Sequence, residues 1–125
     1  MQINIIERTR KMEELTVAKG QEDVKIIDTD TLVYELKNPI SFEDKEYKKF
    51  TFNFGKLTGN DAILIEAELE AQNIYIIAPE TSRTYQARMA AKAAGVSVEI
   101  LEKLSFKDFN RITNAARNFL VGQEL

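Results

Sequence analysis

Phe50, Phe52 and Phe54 stand at alternate positions in KFTFNF, and no other stretch constrains the fold as tightly. Successive side chains of a strand point to opposite faces, so the three rings project from one face and Lys49, Thr51 and Asn53 from the other. A partner strand lies upstream: from Thr31 to Lys37, Leu32, Tyr34 and Leu36 alternate with Thr31, Val33 and Glu35. Two strands alone are marginal in water, so helices must pack across the phenylalanine face or further strands must extend the sheet. The link Glu43-Asp44-Lys45-Glu46 lacks the Asn-Gly or Asp-Gly pair that favours a tight turn, and a longer, looser connection is expected there.

Downstream the period becomes helical. Thr58 with Asp61 three residues later resembles a capping box, opening TGNDAILIEAELEAQN as a helix to about Asn73. This helix has two apolar stripes. Ala62, Ile65 and Leu69 form one, Ile63, Leu64, Ala67, Ala71 and Ile74 form the other, and Glu66 and Glu70 lie between them on one side. One stripe can face the sheet, and the other needs a partner. Ile63, Leu64, Ala67, Ala71 and Ile74 are therefore the candidate partner-binding residues.

The apolar run Ile74 to Ala78, stopped by Pro79, fits either an extended connector or a frayed helix end. Thr81 or Ser82 then caps an alanine-rich helix through Ala94, with Ala87, Ala90, Ala91 and Ala94 on a close-packing face and Gly95 as the stop. A short helix is expected from Ser97 to Leu104. Ser105 with Asp108 makes a second capping box, opening a helix whose Phe106, Phe109, Ile112, Ala116, Phe119 and Leu120 share one face and are expected in the core. The whole pattern is α+β: an N-terminal β-hairpin at about 31–54 packed with a mainly helical C-terminal part of about four helices.

A chain of 125 residues suits one domain, and folding could bury roughly two-thirds of its unfolded surface. Residues 31–125 are expected to form it. In residues 1–24 two periods compete, since Ile5, Met12 and Leu15 fit a helical face while Ile3 and Ile5 alternate like a strand; residues 1–30 are expected to be a mobile or loosely docked segment. No signal peptide opens the chain and no long apolar run crosses it, so the cytoplasm is the expected location and no membrane partner is expected. The net charge of −3 is uneven, with 10 basic and 15 acidic side chains in residues 1–79 against 7 and 5 in residues 80–125. That asymmetry allows weak attraction between copies, but it is far from the basic stripe of a nucleic-acid binder.

With no Cys and no His, thiol nucleophiles, disulfides, imidazole bases and most zinc or copper sites are excluded. Asp28-Thr29-Asp30 looks like the start of a calcium loop, but Val33 and Pro39 stand where its glycine and bidentate glutamate belong. Glu66 and Glu70 lie one turn apart with no base on their helix to tune them, and the glycines are too scattered for a phosphate loop. No catalytic residue, cofactor or metal is expected. The alternative function is a helix-turn-helix DNA-binding regulator built on residues 90–104, AAKAAGVSVEILEKL. Its spacing fits, yet its would-be reading helix shows Val98, Glu99, Ile100, Glu102 and Lys103, without the Arg, Asn or Gln that read base edges.

YELKNPI, KFTFNF, KLTGNDAILIEAEL, AAKAAGVSVEILEKLSFKDFNRI and NFL together resemble the tail assembly chaperones of long-tailed bacteriophages and prophages, over about Leu32 to Leu120. The likeness is carried by structural positions and transfers no catalytic residue. It implies a small, non-enzymatic chaperone that binds the long tape-measure protein and keeps it soluble while the tail tube assembles. Tail tube protein is a further implied partner, a homo-oligomer is allowed, and the protein would be absent from the mature virion.

Overall fold

The computed structural model describes residues 24–26 and 30–122. Three antiparallel strands, β1 (Val24–Ile26), β2 (Thr31–Phe42) and β3 (Lys45–Asn53), form a sheet in that order. Leu32 faces Phe52, Tyr34 faces Phe50, and Val24 and Ile26 of β1 stand opposite Tyr34 and Leu32, so all share one side. On that side Leu32, Tyr34, Leu36, Phe50 and Phe52 are buried, whereas Glu35, Lys49, Thr51 and Asn53 are exposed on the other. The sheet is extended by a strand from the segment expected to be mobile or loosely docked; the rest of residues 1–29 lies outside the described residues.

Phe54 leaves the strand in a 3-10 turn, Phe54–Lys56, but keeps its ring buried. It continues a ladder of stacked or tilted rings, Tyr47, Phe50, Phe52, Phe54 and Phe119, with successive centroids 5.6, 5.8, 5.9 and 5.4 Å apart. Phe119 comes from the last helix, so the ladder ties the end of the chain to the sheet. Space at Gly55 is tight: a Cβ on it would lie 3.0 Å from the Cβ of Asp30.

Two expectations about the hairpin are corrected. The connection is a two-residue turn, because Phe42 pairs with Lys45 and both Glu43 (φ 51) and Asp44 (φ 67) are left-handed. The twist of the flanking strands selects this mirror-image turn, and pairing on both sides imposes it without a glycine. The strands also run further than their alternation, because the ladder is broken and then resumes. Between the pairs Glu35–Lys49 and Ile40–Tyr47, residues Leu36–Pro39 of β2 face Lys48 alone. Pro39 has no N–H to give to a ladder, which suits a bulge.

The bulge is closed by a side chain from the other end of the sequence. Asp108 is fully buried, and its carboxylate accepts hydrogen bonds from the Tyr34 hydroxyl at 2.6 Å and from the amides of Lys37 at 3.0 Å and Asn38 at 3.1 Å. Burial alone would push this carboxyl up. The bonds from Tyr34, Lys37 and Asn38, with help from the Ser105 side chain, outweigh it and hold the group below the ordinary carboxylate range.

Four helices follow, α1 (Gly59–Ala71), α2 (Arg83–Ala94), α3 (Val98–Glu102) and α4 (Phe106–Leu120); α2 and α4 pack on the strands, and α1 and α3 pack on α2. The start of α1 is a complete capping box between Thr58 and Asp61. At α4 only half of the expected box forms: Ser105 accepts from the Asp108 amide, while the Asp108 carboxylate is turned toward β2. Asn73 (φ 63) ends α1 and Gly95 (φ 72) ends α2, with Ile74 N–H bonded to Leu69 O and Val96 N–H to Ala91 O. Central α2 touches β3 and the other three helices, its buried Ala87, Ala90 and Ala91 allowing close approach.

The expected core face of α4 is also corrected. Ile112, Ala115 and Ala116 are buried and Phe109 and Phe119 are half-buried, but Phe106 is 83% exposed and Leu120 is exposed as well. Anchoring Asp108 in the bulge rotates the helix toward Asp108 and Ala115, which leaves Phe106 at the margin; Leu120 ends the helix where the core stops.

Candidate functional site

Helix α1 docks through one of its two stripes. Ile65 and Leu69 are buried and Ala62 is half-buried, so the first stripe belongs to the core. On the opposite side Ile63 is 64% exposed and Leu64 43%, with Ala67 and Ala71 also exposed. Ile74, the fifth candidate, lies beyond the helix end, half-buried and packed against the core. The chain then presents Tyr75, 72% exposed, and Ile77, fully exposed. Sequence reasoning missed these two because a five-residue apolar run has no period long enough to separate inside from outside.

The charges that α1 and the run after it carry are one-signed. From residue 57 to residue 82 the sequence contains no Lys or Arg, while Asp61, Glu66, Glu68, Glu70 and Glu80 all fall there. Asp61 is used by the capping box, and Glu68 bridges to Arg88 at 3.2 Å and Lys92 at 3.3 Å on α2. Among the described residues, no ion pair engages Glu66 or Glu70, both exposed. Burial raises the Tyr85 hydroxyl pKa, and the negative charge of Glu66 raises it further.

Other surfaces carry less. A polar groove of about 480 Å3 runs between the start of α2 and the second half of α4, lined by Glu80, Arg83, Gln86, Asn114 and Arg117 among others. Its polar groups hold the architecture together: Gln86 Nε2 donates to the carbonyls of Pro79 and Glu80, and Arg83 donates to the buried Thr113 hydroxyl at 2.7 Å. The helix-turn-helix alternative meets a five-residue α3 with Ile100 and Leu101 buried and Glu99 exposed. Such a helix is too short and too acidic to read a groove. Among the described residues, no three metal-binding side chains come together and no helix is long and apolar enough to cross a membrane. Asp28 and Thr29 lie outside those residues.

Fold and surface together define a small α+β domain whose most distinctive feature, among the described residues, is an exposed apolar helix face. The family described as phage tail assembly chaperone proteins, E, or 41 or 14, matches residues 33–121, and the chain belongs to it. The match runs from β2 through α4, bearing out the resemblance read from the sequence. No curated protein and no solved structure matched the chain. Membership implies work alongside phage tail proteins, in the host, while the tail is being assembled.

Proposed function

We propose that this chaperone binds the tape-measure protein through the outer face of α1 and keeps it soluble while the tail tube forms, acting by contact and without catalysis. The observation that carries this reading is the two-sided apolarity of α1. A helix apolar on both sides belongs between two partners, and the described residues of this domain supply only one. Tail tube protein is the second partner in this reading, and the protein acts in the host bacterial cytoplasm and leaves before the virion is complete.

The test is co-expression with a cognate tape-measure protein, scoring soluble tape-measure protein and its co-purification. Ile63→Glu and Leu64→Glu should each keep the thermal transition of the parent, within about 0.5 kcal/mol for an exposed site, yet lose the tape-measure protein to the pellet. Loss of the thermal transition instead would place these side chains in the domain's own core and end the proposal.

A further inference from the structure

We infer that the outer face of α1 takes a basic amphipathic helix: a partner segment of about 13 residues with an apolar stripe flanked by Lys or Arg. This rests on reading that face as the client surface, and it adds the chemistry of the client.

Three features carry the inference. The first is shape. Ile63, Ala67 and Ala71 are spaced one turn apart, so a large residue is followed by two small ones, with Leu64 alongside. Small residues let a second backbone approach to helix-packing distance, about 8–10 Å between axes. The second is length, because the 13 residues of α1 span roughly 20 Å, enough to seat about the same number of helical residues.

The third feature is charge. Around the helix axis Glu66 and Glu70, which no ion pair engages among the described residues, border the stripe on one side, while Glu68 on the other is already bridged to Arg88 and Lys92. An apolar strip edged by open carboxylates is complementary to one edged by cations, and such an edge selects partner and register more than it adds affinity. The same charges argue against other occupants. An antiparallel second copy docking α1 on α1 would set Glu66 and Glu70 against their own copies, and an anionic membrane surface would meet them as like charges.

Three synthetic 18-residue peptides titrated into the full-length, isotope-labelled protein test this. The first places Leu at helical spacing with Lys flanks, the second replaces Lys by Glu, and the third shuffles the Lys–Leu peptide to destroy its period. The Lys-flanked peptide should perturb amides of residues 60–77, bind about tenfold more tightly than the Glu-flanked one, and weaken as salt is raised. The Glu66→Lys/Glu70→Lys double variant should reverse the order of the two peptides, and Glu66→Gln/Glu70→Gln should level it.

Equal binding by the shuffled peptide would overturn the inference, since charge alone would suffice. So would an order unchanged by the double variants, perturbations centred on Arg83 and Arg117, or self-association that occupies α1 and shuts out the peptides. Co-expression with the tape-measure protein separates the two levels of the argument. If Ile63→Glu loses the client while Glu66→Lys/Glu70→Lys keeps it, the face stands and its preference for basic helices falls. If both variants keep the client, the face itself is wrong.

Discussion

Helix α4 buries Ile112, Thr113, Ala115 and Ala116 and sends Asp108 into the bulge of β2, whereas α1, nearly as long, buries only Ile65 and Leu69. The polar links differ in the same sense. Asp108 is sealed from water with three donors on its carboxylate, while α1 is joined to α2 by the half-exposed pairs of Glu68 with Arg88 and Lys92. A helix held by a buried carboxylate and a broad apolar face is committed to its own domain. One held by two core residues and surface ion pairs leaves its second apolar stripe exposed.

The comparison breaks most readily at Asp108. Asp108→Ala should destabilise the domain by about 3–5 kcal/mol in urea melts, because it leaves the Tyr34 hydroxyl and the Lys37 and Asn38 amides without their acceptor. A loss below about 1 kcal/mol would mean that water replaces the carboxylate and that α4 is not anchored there. Acid sharpens the same point. The unfolded chain protonates this carboxyl near pH 3.9, about the ordinary value, while the folded chain holds it lower, so the unfolded state binds more protons in that window. Its contribution is complete above the ordinary value and is lost as pH falls through the lowered one. Asp108→Asn should therefore flatten the acid limb of stability against pH; parallel curves for parent and variant would assign that limb to other carboxylates.

Within α1 the two stripes can be weighed against each other. Leu69→Ala should cost about 2–5 kcal/mol as a buried truncation, and Ile63→Ala should stay within about 0.5 kcal/mol. Similar losses at both sites would erase the distinction between inner and outer faces. The smallest effect is expected at Glu68→Ala, at most about 1 kcal/mol in the same melts, since both ion pairs are partly open to water. A larger loss would show α1 to be held by charge and not by Ile65 and Leu69.

Much of this was legible before any coordinates. The phenylalanine alternation located β3 and its buried face, Thr58 and Ser105 marked helix starts, Thr81 or Ser82 bracketed a third that falls to Ser82, and Gly95 marked an end. Exposure of Ile63 and Leu64 follows from the second stripe of α1, because a helix cannot turn both sides to one core. What escaped was non-periodic or non-local. Tyr75 and Ile77 lie in a short irregular run, and the exposure of Phe106 depends on where Asp108, two residues later, finds its partners.

Local spacing and chemistry settle element type, helix caps and the side of each strand that is apolar, because each depends on residues within a turn or a pleat of one another. The fate of Asp108 depended on Tyr34, Lys37 and Asn38, some seventy residues away in sequence. At α4 the sequence offered its carboxylate a neighbouring cap, and only tertiary packing supplied the bulged amides and the buried hydroxyl that took it instead. The tight turn at Glu43-Asp44 has the same origin: nothing in those two residues demands left-handed backbone, and the twist of two paired strands does.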